Sequence, residues 1–340
     1  MNAMAIDLPL AWMLVIGFAV MMYVVTDGFD LGIGILFPFV GDETDRDTMV
    51  NTVAPVWDGN ETWLVLGGAG LFAAFPKAYA VLLSSLYVPL LLMLVGLVWR
   101  GVSFEFRFKS DDSHKPFWDV AFVSGSVVAA FFQGVALGAF LQGVELADGR
   151  AVGGVLDWLS AFSLFTGVGV VVAYALLGAT WLVLKTEGRL QALMKRVARP
   201  VTLLLMLLIA GVSIWSPLAH PEIAGRWFGF PNIVWFSPVP VLVLAAAWML
   251  LRAVARRGEP GATPFACALL LMFLGYSGFV ISIWPNIVPF ALTVWEAAAP
   301  RQSLGFTLVG ALLIIPVILA YSGWSYYVFR GKVRAGEGYH

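Results

Sequence analysis

Long apolar runs separated by short charged connections set the pattern of this chain. A membrane-spanning helix needs about 20 mostly apolar residues. Nine such stretches can be read, at roughly 8–37, 52–75, 78–99, 117–142, 156–184, 200–217, 233–251, 263–284 and 303–329. The pattern predicts an all-α polytopic membrane protein, residues 1–340 forming one integral membrane domain. The first run has no Lys or Arg before it and is long for a signal-peptide core, so it is expected to remain as a span.

Composition agrees: 60% of the 340 residues are apolar, 12% are charged, and mean hydropathy is +0.88. Soluble domains average about 45–50% apolar and about 25% charged. The net charge of −1 points to no particular partner and gives no sign of nucleic-acid binding. The single cysteine, Cys267, excludes a disulfide framework and a CxxC metal site.

The connections predict orientation. Counting the N-terminus and the loops after even-numbered spans as one side, that side holds four basic residues, Lys77, Arg150, Arg226 and Arg301, against sixteen on the other. The positive-inside rule then puts the N-terminus in the periplasm and the C-terminus in the cytoplasm. Tryptophans cluster near span ends, as interfacial anchors do: Trp158, Trp215, Trp227, Trp235, Trp284 and Trp295 at outer ends, and Trp99, Trp118, Trp181 and Trp324 at inner ends.

Against this background four carboxylates stand out. Asp27 and Asp30 interrupt the first span, and Asp58 and Glu61 lie in the second, within "APVWDGNETWLVLGG". A charge in a spanning helix costs about 2.5–3.5 kcal/mol on insertion scales. Each pair is spaced i, i+3 and shares a helix face. With span two starting near Thr52, Asp58 is about 9 Å and Glu61 about 14 Å from the inner end. All four then occupy the cytoplasmic half. Together in hydrocarbon they must be protonated, hydrated or paired with a cation, for which Arg100 and Lys109 are nearest in sequence. The array has the character of a proton or cation path. A static role is the plainer alternative: Asp27 and Asp58 capping helices broken at Gly28 and Gly59, with Asn60 and the tryptophan N–H groups completing a network. Gly28 and Gly32, like Gly134 and Gly138, form GxxxG pairs of the helix-packing kind, without the context of a phosphate loop.

The three histidines, His114, His220 and His340, all fall in connections or the tail. Membrane haem is usually held by axial His, Met or Cys, so no haem is expected on this chain alone, and no metal site or catalytic motif is evident.

Four segments, "DGFDLGIGILFPF", "APVWDGNETWLVLGG", "LFAAFPKAYA" and "RGVSFEFRFK", resemble subunit II of the cytochrome bd-type ubiquinol oxidases. "GNETWL" and "FPFV" are most similar to its cyanide-insensitive branch. The resemblance is densest from Asp27 to Lys109 and weakens after about residue 145. It implies a subunit of a respiratory electron-transport complex of the bacterial inner membrane that couples quinol oxidation to reduction of O2 to water and builds a proton gradient. It implies that haems b and d, or b-type haems only, sit in the partner, subunit I. It implies that this chain supports haem assembly there. It also places Asp58 on a cytoplasmic proton path and Trp63 beside an oxygen path. Asp27, Asp30 and Glu61 join the path by their position, and Trp57 is read as oxygen-path or packing. The resemblance leaves room for a bound quinone, for lipid, and for a small single-span accessory subunit. Two rival readings of the residues are a proton-coupled secondary transporter, which predicts internal repeats, and a purely structural membrane subunit.

Overall fold

In hydrocarbon every backbone N–H and C=O must be satisfied within the chain, which confines spanning segments to helices. The computed structural model describes residues 6–111, 113–147, 149–256 and 258–334, and only the backbone of Arg150. His340 and Arg257 lie outside the described residues. The apolar runs form α1 (Leu8–Leu36), α3 (Trp57–Ala74), α4 (Pro76–Lys109), α5 (Lys115–Leu141), α6 (Ala161–Lys185), α7 (Gly188–Ala219), α10 (Pro238–Ala255), α11 (Thr263–Ile283) and α13 (Arg301–Val328). Between them lie the short helices α2 (Glu43–Asn51), α8 (Pro221–Phe228), α9 (Asn232–Phe236) and α12 (Val294–Ala297). Two small antiparallel hairpins complete the fold, β1 (Leu146–Ala147) with β2 (Arg150–Ala151), and β3 (Asn286–Val288) with β4 (Leu292–Thr293).

Among the described residues eight helical segments are long and apolar enough to cross a membrane. The other long helix, α3, has 18 residues and begins with Asp58, Asn60 and Glu61, which lower its hydropathy. It runs antiparallel along α1: Asn60 meets Thr26 and Asp30, Gly67 faces Val20, and Gly70 faces Ile16.

Three expected boundaries change. Residues 52–56 form a turn, and the second span starts at Trp57 instead of near Thr52, so Asp58 sits in the first helical turn. "RGVSFEFRFK", read as a connection, continues α4 for a further ten residues, and Arg100 is therefore held inside a helix. α7 starts at Gly188 instead of 200, because Leu190, Met194 and Ala198, one turn apart, bury a face and carry the helix through Pro200.

Small residues set the spacing around the centre of the bundle. A Cβ on Gly32 would lie 1.9 Å from the Tyr174 carbonyl oxygen, and one on Gly125 would lie 2.6 Å from the Arg100 amide nitrogen. α1 therefore meets α6, and α5 meets α4, backbone to backbone. The second contact brings Arg100 into the interior.

The start of α1 and the end of α13 lie at opposite ends of the bundle. Near the N-terminus Trp295 Nε1 donates to Asp7, and the Trp12 indole to the Leu304 carbonyl. Near the C-terminus the Val333 amide donates to Lys185 O, and Lys332 pairs with Glu259.

Candidate functional site: a buried arginine among membrane carboxylates

α1 stays helical through Gly28, so Asp27 does not cap a break in it. Its side chain and that of Asp30 are 1% and 0% exposed, and both turn toward a fully buried Arg100 from α4. Arg100 Nη1 donates to Asp27 Oδ1 at 3.2 Å and to Glu61 Oε1 at 3.2 Å, and Nη2 lies 3.8 Å from Asp30 Oδ2. The guanidinium also sits over the Trp57 ring, 5.7 Å from its centroid. Three carboxylates from two helices thus share one cation. Taking such a cluster out of water is costly, and close ion pairs and hydrogen bonds offset that cost.

A polar chain leads away from the cluster. Asn60 Nδ2 donates to Asp30 Oδ2 at 2.7 Å, and Asn60 Oδ1 accepts from the Tyr326 hydroxyl at 2.7 Å. Tyr326 helps to wall a cavity of about 180 Å3 between α6 and α13, together with Thr52, Trp181 and Lys185. Lys185 reaches across to the Phe329 and Gly331 carbonyls. Several buried polar atoms have no hydrogen-bond partner among the described residues, here Asp30 Oδ1 and Arg100 Nε and Nη2. Native interiors leave few such atoms; others here are Arg107 Nη2, Trp158 Nε1 and Ser216 Oγ, away from this centre.

The four expected carboxylates do not all converge. Asp27, Asp30 and Glu61 meet at Arg100, whereas Asp58 is exposed on the flank of α3. Glu61 itself is 30% exposed, so the centre reaches the molecular surface along α3. Lys109 takes no part; it is exposed and pairs with Glu105 one turn back. Trp63 is buried against Ala19 and Tyr23 with an edge contact to Phe18, and Trp57 packs on Phe104.

A second cluster was not anticipated. Two turns from Arg100 on α4, Arg107 is 1% exposed. Its Nε donates to Asp119 at 2.6 Å, and its Nη1 to Asp47 at 2.7 Å. Arg46 joins Asp119, and Lys115 joins Glu43 and Asp47. The only sequence signal was the seven-residue repeat of arginine on one helix. Tyr23 could have been flagged because it stands one turn before Asp27. Tyr326, 266 positions from its partner Asn60, carried no local signal.

The described histidines lie at helix ends, outside the long apolar helices. His114 is exposed, with Nδ1 2.7 Å from Asp111, and that bond above all holds the Asp111 carboxyl down at about 2. His220 stacks on Phe290 in the connection between α7 and α8. No group of three or more potential metal ligands occurs among the described residues.

A bundle of apolar helices enclosing a buried ionic centre defines a polytopic membrane protein, and comparison with known proteins names its class. The family model "Cytochrome bd terminal oxidase subunit II" matches residues 8–329. The chain is 30% identical to cytochrome bd-I ubiquinol oxidase subunit 2 of Escherichia coli, covering 95% of this chain and 94% of that one. It is 29% identical to cytochrome bd ubiquinol oxidase subunit 2 of Bacillus subtilis, covering 96% and 97%. Its fold is similar to that of a chain in the structure of bd oxidase from Geobacillus thermodenitrificans, with a TM-score of 0.77, 17% identity, and coverage of 95% and 99%. The chain belongs to the cytochrome bd terminal oxidase subunit II family. It is a multi-pass protein of the bacterial inner membrane.

Proposed function

We propose that this chain is the haem-free partner of a haem-bearing subunit I in a bd-type quinol oxidase. Its α1 and α3 carboxylates line a route that brings cytoplasmic protons toward the site of oxygen reduction. The observation that carries this reading is the composition and reach of the Arg100 centre. One cation faces three carboxylates, and the third, Glu61, extends to the exposed flank of α3 where Asp58 also lies. Lipid tails do not accommodate carboxylates, so that flank suits a protein partner. The unused hydrogen-bonding capacity of Asp30 Oδ1 suits a centre whose protonation changes. Reduction of O2 consumes protons, and drawing them from the cytoplasm makes turnover build a gradient.

In this reading α3 crosses the membrane as a ninth span, the N-terminus is periplasmic, and the cavity beside Tyr326 opens toward the cytoplasm. The haems and the quinol site belong to the partner, whose haem assembly this chain supports. Trp63, enclosed by Phe18, Ala19 and Tyr23, is the position at which the oxygen-path expectation falls.

The test is made in the assembled complex. Asp58→Asn and Glu61→Gln keep shape and hydrogen bonding but cannot titrate. Each is expected to leave haem content near normal and to slow quinol-driven oxygen consumption strongly, and Asp58→Glu to retain part of the activity. Full turnover in both neutral variants rejects the proton route. Loss of haem and assembly in both identifies the carboxylates as structural ties. The tie reading has its own support, since each carboxylate at Arg100 has a bonded or ion-paired partner.

A further inference from the structure

At the end of the molecule that carries most basic residues, nearly every described cation is matched. Arg46, Arg107, Lys109, Lys115, Arg189, Lys332 and Arg334 have carboxylate partners. Lys185, Lys195 and Arg330 donate to backbone carbonyls. Four arginines are different. The side chains of Arg196, Arg199, Arg252 and Arg256 are exposed and make no hydrogen bond or ion pair with the described residues. All four belong to one place, the shared end of α7 and α10. Lys195 pins that end together by donating to the Arg256 and Gly258 carbonyls at 3.0 Å each.

Each helix continues from its arginines into exposed apolar side chains one turn apart. On α7, Arg199 is followed by Leu203 and Leu207, 59% and 68% exposed. On α10, the Arg252 guanidinium lies 4.0 Å from the centroid of the exposed Trp248 ring, and Leu244 follows a turn further. Guanidinium groups at the interface above columns of lipid-facing apolar groups match a molecule with an anionic head and hydrocarbon tails. This edge is built on α6 and α11, away from the α3 flank assigned to the partner.

We propose that the α7–α10 end binds an anionic phospholipid. Its phosphate is taken by Arg199 and Arg252, with Arg196 and Arg256 adding charge, and its acyl chains lie along Leu203–Leu207 and Trp248–Leu244. The inference does not depend on the proton route, nor on which face of the membrane this end occupies.

The experiment uses the purified whole complex in phosphatidylcholine vesicles, with trace spin-labelled phosphatidylglycerol or phosphatidylcholine. The protein-immobilised fraction of each probe is measured. The native complex is expected to prefer phosphatidylglycerol by about threefold or more. The preference is expected to fall toward parity in Arg199→Gln/Arg252→Gln and to survive in Arg199→Lys/Arg252→Lys. Equal preference in native and Gln-substituted complexes overturns the proposal. Should the Gln variant fail to assemble, photoactivatable phosphatidylglycerol on the native complex decides. Adducts on residues 196–207 and 244–256 support the site. Adducts only elsewhere, or an acidic polypeptide crosslinked there in place of lipid, overturn it.

Discussion

Arg100 and Arg107 stand two turns apart on α4, and both are almost fully buried, yet their surroundings differ. Arg107 belongs to a balanced lattice in which Arg46, Arg107 and Lys115 face Glu43, Asp47 and Asp119. Its carboxylates come from α2 and the first turns of α5, and Asp47 is 37% exposed. Arg100 faces three carboxylates from α1 and α3, two of them buried. Matched charge near water holds elements together. Unmatched carboxylate inside a bundle is costly unless protons, or a partner, complete it. The first arrangement suits a clamp and the second a working centre.

The largest expected effect is at Arg100. Arg100→Gln leaves two buried carboxylates and the half-buried Glu61 without their cation, a loss of about 3–5 kcal/mol. The complex should accumulate poorly and melt at markedly lower temperature, and Arg100→Lys should recover part of this. Milder damage from Arg100→Gln than from Arg107→Gln would reverse the comparison.

Next come the neutral carboxylate variants. Asp30→Asn should slow oxygen consumption more than Asp27→Asn, because Asp30 is the acid linked through Asn60 to Tyr326. Equal rates in both variants, at full haem content, would leave the Tyr326 side without a role in turnover.

Arg107→Gln should cost about 1–3 kcal/mol, because water can reach the carboxylates it leaves. Melting of the native complex should respond to salt mainly through this lattice, since exposed pairs are screened and the Arg100 centre is not. A salt dependence unchanged by Arg107→Gln would contradict that.

Tyr326→Phe should have the smallest effect on stability, about 0.5–1.5 kcal/mol for one hydrogen bond. Its melting temperature should shift slightly, with oxygen consumption reporting whether the Asn60 link matters to turnover.

Much of this centre was legible in the chain. Asp27 and Asp30 were conspicuous because carboxylates in an apolar helix demand compensation, and their i, i+3 spacing does place both on Arg100. Gly28 and Gly32 were readable as packing residues, and Tyr174 and Gly178 lie against them. Asp58 and Glu61 share the same spacing but part company, one exposed and one at the arginine. At the start of a helix a shared face can straddle the boundary between neighbouring protein and open surface. Spacing fixes the angle between two side chains, not where that boundary falls.

By itself, the sequence determined that the protein is a bundle of membrane helices, and that its buried carboxylates had to be protonated, hydrated or paired with a cation. Both follow from local terms: the transfer energy of each side chain and the self-sufficiency of a helical backbone. Only the tertiary structure decided which cation answered, that α4 carries Arg100 inward against Gly125, that Tyr326 closes on Asn60, and that Arg107 is buried at all. Those contacts join residues tens to hundreds of positions apart. Their energies exist only once the helices have packed, and no property of either residue alone encodes them.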